Sequence, residues 1–311
     1  MLFRHLNLLV SISVLCVATA MSAVVEFYPG VNNPLVNNPP GGWPASWTVL
    51  NDRNGAIMTD PKSDQGLQVE NDLCGTASNP LAYWAQNSDY VFFRMRINLN
   101  TTAGYTSGTF GNDAFWVFVD NTDDRKADYA FGWDVNNETT SANGKHGLEL
   151  NIPNGTWTTW ADVQMEDKDG SNGLKLQPDL NTLTGHTQDG YVRLTNALDD
   201  TSTSFIDIAI DLAYLSSTYL SNPVTTLGNG NPWHLAFATM HGGTDHTQMN
   251  HVDNDIAGTS LLSSAYNTIT LGANATADAT WTTGLNVVVP EPASALVLIG
   301  GLGFLFRRRR R

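Results

Sequence analysis

Three things are scarce in this 311-residue chain, and each scarcity removes a class of answers. Cysteine is the first: only Cys16 and Cys74 occur, so no framework of disulfides holds the fold together. Positive charge is the second. Lysine and arginine number 16 against 30 acids, and six of the bases, Arg4 and Arg307 to Arg311, lie in the terminal segments. Setting those six and Glu291 aside leaves 29 acids against 10 bases between residues 24 and 288, a net charge near −19. Such a surface repels nucleic acid and anionic lipid, and attracts divalent cations and basic partners. The third scarcity is long helical periodicity, and with it the motifs that ride on helices. No nucleophile elbow, zinc-protease helix or phosphate loop is present. A retaining glycosidase needs two carboxylates about 5 Å apart. The nearest approach is Asp207 with Asp211, four residues along one strand and so roughly 13 Å apart. The chain reads as a non-enzyme.

The two ends are read as sorting signals. Arg4 and His5 precede an apolar stretch from Leu6 to Ala18, followed by small residues at Ala20, Ser22 and Ala23. That is the layout of a secretory signal peptide, residues 1–23, removed by signal peptidase. Cys16 leaves with it, and Cys74, with no partner for an internal disulfide, is expected to be buried as a small apolar residue. At the other end, residues 289–311 hold Pro290-Glu291-Pro292, an uncharged run from Ala293 to Phe306, and five arginines. The two prolines keep their segment extended. The fourteen-residue run covers only about 21 Å as a helix, short of the roughly 30 Å of bilayer hydrocarbon, which implies transient insertion. The arginines hold the chain with its bulk outside. These three parts, in this order and spacing, resemble the PEP-CTERM sorting signal of Gram-negative bacteria. The resemblance implies cleavage by an exosortase at or near the motif, with passage through the inner membrane to the cell surface or the medium.

Between the ends, residues 24–272 read as one domain and 273–288, rich in Ala, Thr, Asn and Asp, as a spacer. Strands are expected at Val24 to Tyr28, Trp47 to Leu50, Tyr90 to Ile97, Ala114 to Val119, Tyr129 to Val135, Gly147 to Ile152, Thr156 to Met165, Gly190 to Leu194, Ser204 to Leu212, Trp233 to Met240 and Thr268 to Gly272. Ala213 to Tyr219 is the one candidate helical turn. In Tyr90 to Ile97, Val91, Phe93, Met95 and Ile97 share one face, which predicts a dry side opposite a wet one carrying Phe92, Arg94 and Arg96. The same alternation sets Ile206, Ile208 and Ile210 against Asp207, Ala209 and Asp211. Short strands divided by polar turns predict an all-β fold, a single two-sheet antiparallel β-sandwich with jelly-roll-like topology. The succession Tyr90 to Met95, Phe115 to Asp120, Ala127 to Phe131 and Phe205 to Leu215 is similar to family-nine-like carbohydrate-binding domains. That resemblance implies an architecture and an extracellular polysaccharide as partner, without identifying sugar contacts.

Candidate sites follow from residue chemistry. Asp120, Asp123, Asp124 and Asp128 crowd one turn, and carboxylates with backbone carbonyls are what calcium takes from a loop. A solvated turn with internal ion pairs is the other reading, and Asp167 to Gly173 repeats the pattern. His241, His246 and His251 with Asp245, Asp253 and Asp255 offer zinc donors, although steps of five residues share no face of a helix or strand. Nine tryptophans suggest stacking on sugar rings. Trp116 and Trp233 sit in the most apolar strands and are expected in the core, whereas Trp43, Trp157 and Trp160 are the candidates for a surface platform. A structural matrix role without a specific ligand is the rival to polysaccharide binding.

Overall fold

The computed structural model describes residues 26–27, 39–64, 72–99, 113–134, 148–153, 160–163, 190–212, 215, 231–241, 255–258 and 278–288. Among them are twelve strands: β1 (Glu26–Phe27), β2 (Thr48–Val49), β3 (Ala82–Gln86), β4 (Tyr90–Ile97), β5 (Asp113–Asp120), β6 (Tyr129–Asp134), β7 (Leu148–Pro153), β8 (Trp160–Val163), β9 (Gly190–Asn196), β10 (Ser204–Asp211), β11 (His234–His241) and β12 (Asp255–Ile256). They form two six-stranded sheets, ordered β1-β9-β10-β4-β3-β2 and β12-β11-β5-β6-β7-β8, with every pairing antiparallel. The chain changes sheet between β4 and β5, between β8 and β9, and between β10 and β11. The result is an all-β two-sheet sandwich of jelly-roll-like connectivity, not closed into a barrel. No helix among the described residues is long and apolar enough to cross a membrane. Of the expected turn at 213–219 only Leu215 is among the described residues, helical and buried, as is Leu212, which was expected to end a strand; the 268–272 strand lies outside the described residues.

Alternation builds the core. Ile206 pairs with Met95, Ile208 with Phe93 and Ile210 with Val91, so the apolar sets of β10 and β4 meet on one side of the first sheet. They face Phe115, Val117 and Val119 of β5, Tyr129 and Phe131 of β6, and Leu235 and Phe237 of β11. Trp233 locks the two layers. Its ring centroid lies 6.4 Å from Phe93 of the first sheet and 6.3 Å from Phe131 of the second, both stacked, with Tyr129 edge-on at 6.0 Å. Burying an indole of this size contributes about 4–6 kcal/mol by area. On the opposite side of β5, Trp116 is buried across from Gly132 of β6, where any added Cβ would overlap its ring. Cys74 is buried and free, as its apolar character predicts.

Two expectations need correction. The outer faces of β4 and β10 are not wet, since Phe92 and Arg96 are each 1% exposed and Asp207 is fully buried. The loop 39–47 folds over this face, whose charges engage one another, Arg94 and Arg193 with Asp207 and Arg96 with Asp199, which offsets the loss of water. The second correction concerns 278–288, read from composition as spacer. Trp281 is fully buried, Leu285 and Val287 join the main core, and Trp233 exchanges backbone hydrogen bonds with Leu285. Three apolar anchors in a run of small polar residues are enough to hold it down. Strand β3 was not expected either, because Ala-Tyr-Trp-Ala-Gln has no clear alternation and depends on pairing with β4.

Candidate functional site

The acidic turn between β5 and β6 is closed by its own backbone. The Asp120 carboxylate, fully buried, accepts the N–H groups of Thr122, Asp123, Asp124 and Arg125 at 2.7–3.3 Å. Asp128 accepts those of Asn121 and Thr122 at 2.8 and 3.1 Å. Burial pushes both carboxyls above the usual range, against these hydrogen bonds. Asp123 pairs with Arg53, whose hydrogen bond holds its carboxyl low, and Arg53 also reaches Asp120 at 3.0 Å. Asp124 takes the Lys126 N–H at 3.0 Å, and Arg125 pairs with Asp278 at 2.7 Å. The cation from Arg53 comes from a segment nearly seventy positions upstream, which local reading of the turn could not include.

The outer face of the first sheet carries a layered aromatic and arginine surface. Asp207 on β10 accepts two hydrogen bonds from Arg94 of β4 at 2.6 and 2.8 Å and one from Arg193 of β9 at 2.8 Å. The Arg94 guanidinium lies between the rings of Trp47, 4.2 Å away, and Phe205, 4.5 Å away. Arg193 lies 4.4 Å from the Trp43 ring. Both indoles also touch Phe92, with centroids 6.0 and 6.3 Å away. Trp43 and Trp47 are thus half-buried against the sheet, with the Trp43 Nε1 shielded from solvent. The sequence assigned Trp47 to a strand, yet it flanks Trp43 on the same platform. Of the other two platform candidates, Trp157 lies outside the described residues and Trp160 opens β8, an edge strand of the other sheet.

A third arrangement was not anticipated. Asp60, Asp64 and Asp255 each bring a carboxylate oxygen to within 4.8 Å of the other two, the one such set of three potential metal ligands among the described residues. Asp60 and Asp255 are buried, 2% and 4% exposed, and Asp64 is half-buried. Asp60 Oδ1 accepts the Gly258 N–H at 2.8 Å and Asp255 Oδ2 accepts the Leu73 N–H at 2.7 Å. Asp60 Oδ2 and both Asp64 oxygens are shielded from solvent without a hydrogen-bond partner among the described residues. Asp72 adds a fourth carboxylate, engaged by the Ser63 N–H at 2.7 Å and the Asn98 amide at 2.8 Å. Desolvation first, then repulsion from neighbouring aspartates, raises all three: Asp64 to about 6, and Asp60 and Asp255 further still. Like charges 4.8 Å apart repel by about 3–4 kcal/mol at an effective dielectric constant near 20. Three ionised carboxylates at this spacing therefore oppose a typical domain stability of about 5–15 kcal/mol unless protons or a cation offset them.

Of the histidine set, His241 closes β11 and Asp255 joins this cluster, while His246, His251, Asp245 and Asp253 lie outside the described residues, as do 1–23, 167–173 and 289–311 with Pro290, Glu291 and Pro292. No protein-family model and no curated protein matches the chain.

Proposed function

We propose that this chain is an exported, non-catalytic β-sandwich module that binds a neutral extracellular polysaccharide on the surface made by Trp43 and Trp47. The observation that carries the reading is the pair of half-buried indoles fixed against one sheet by Arg94, Arg193 and Phe92. Sugar rings stack on aromatic faces, and a platform already rigid loses little conformational freedom on binding. The charge of about −19 disfavours anionic glycans, which selects a neutral chain as partner. Export rests on the sequence features of residues 1–23, and passage to the surface on Pro290-Glu291-Pro292 and the tail behind it. Affinity electrophoresis tests the binding. Mobility falls in gels containing a neutral β-glucan or α-glucan and not in those containing an anionic polysaccharide, and Trp47→Ala restores it. Unchanged mobility across a panel of neutral glycans refutes the proposal.

A further inference from the structure

We propose that Asp60, Asp64 and Asp255 form a calcium site that clamps the 58–64 segment and edge strand β12 together beside Leu73. The inference stands apart from the polysaccharide reading and fails or holds without it. Its geometric basis is a set of converging oxygens joined from segments nearly two hundred positions apart, with Asp60 almost wholly buried and its Oδ2 unpartnered. Oxygens bound to one calcium at about 2.4 Å lie between roughly 3.4 Å apart when adjacent and 4.8 Å when opposite, which matches the span of this set. Among the described residues, no Lys, Arg or His pairs with Asp60, Asp64 or Asp255. The counter-charge has to come from elsewhere.

The donor chemistry selects the ion. Every ligand here is a carboxylate oxygen, which excludes the nitrogen and sulfur preferences of zinc and suits a hard cation. Magnesium keeps several waters and prefers strict octahedral geometry, so a largely buried carboxylate set favours calcium, which sheds water readily. The site also has a structural task. Strand β12 is two residues long and, among the described residues, is tied to β11 only by the pairing of Asp255 and Ile256 and by the Ala257 N–H to the Phe237 carbonyl, so few ladder bonds hold this edge. Gly258, which donates to Asp60, sits at φ +76°, and a Cβ there would strike the Ala279 carbonyl. A side chain at this position is excluded on both counts.

The test uses purified full-length protein, with melting followed in millimolar CaCl2, MgCl2 or EGTA and binding followed by titration calorimetry with CaCl2. Calcium is expected to raise the melting temperature and to bind at one site per chain. Asp60→Asn keeps the oxygen that accepts the Gly258 N–H and removes a like charge. In EGTA it should therefore melt at or above the wild-type temperature, and it should gain nothing from calcium. Asp64→Asn, at the less buried ligand, should fold normally and weaken calcium at least about tenfold, since affinity follows the ligand charge count. Equal melting in CaCl2 and EGTA with no heat of binding overturns the proposal. So does a calcium response that survives both asparagine variants and vanishes in Asp124→Ala/Asp128→Ala. An equal response to magnesium at the same concentration overturns the choice of calcium.

Discussion

Asp207 offers a test of how the outer face of the first sheet is held. Replacing it with alanine removes three charge-assisted hydrogen bonds, at 2.6, 2.8 and 2.8 Å, and takes from the Arg94 and Arg193 guanidiniums the buried carboxylate they share. Their side chains are only 16% and 9% exposed, so water compensates little. Removing one partner of a buried ion pair costs about 3–5 kcal/mol. Stacking of both guanidiniums on Trp47, Phe205 and Trp43 keeps them partly satisfied, which places the expected loss near 4 kcal/mol. That is about a quarter or more of the stability of a typical domain. The contrast is the triple variant Arg94→Met, Asp207→Leu, Arg193→Met, which removes all the charges together and is expected within about 2 kcal/mol of wild type. Urea denaturation of both proteins supplies the comparison. A loss below about 1 kcal/mol for Asp207→Ala, or a triple variant as unstable as the single one, refutes the reasoning.

Further expectations concern the carboxylate cluster, the second sheet and the C-terminal signal. In calcium-free buffer stability should fall as pH rises from about 4, through the Asp64 value of about 6, and onward. The sign follows because these carboxyls titrate higher in the folded chain than their unfolded value of about 3.9, so the native state holds protons that the unfolded state has already released. Melting temperatures measured across that range in EGTA check this, and stability that rises over the same range contradicts it. Gly132→Ala should cost about 3 kcal/mol, because the new methyl group meets the buried Trp116 ring, and a denaturation midpoint equal to wild type contradicts that packing. Alanines at Pro290, Glu291 and Pro292 should leave export intact and stop C-terminal processing. Mass spectrometry finding the wild-type mature C-terminus would remove the sorting assignment.

What could be read from the sequence and what could not have a common physical basis. Strand β4 was legible to the residue, because Val91, Phe93, Met95 and Ile97 alternate without interruption, and β10 is legible for the same reason. Strand β3, which lies between β4 and β2, and edge strand β12 were not. Their extended state comes from a neighbour's hydrogen bonds, and that neighbour is not encoded in their own residues. Charges on β4 and β10 pointed to water, since a lone arginine or aspartate is costly to bury. Their burial depends on pairing between positions 113 residues apart, a distance over which local pattern carries no information. The carboxylate cluster escaped for the same reason. Asp60 and Asp64 look like ordinary loop aspartates, and Asp255 was noticed only beside histidines. The dense 120–128 turn attracted attention instead, although its acids are engaged by their own backbone and by Arg53.

The central claim is that the Trp43 and Trp47 surface receives a sugar chain, and intrinsic fluorescence tests it most directly. Titrating the full-length protein with a neutral polysaccharide should change tryptophan emission saturably. Trp43→Phe and Trp47→Phe should each remove part of the change, because the buried Trp116, Trp233 and Trp281 cannot respond. Emission that stays constant across neutral polysaccharides, or a change that persists undiminished in the double variant, would contradict the account.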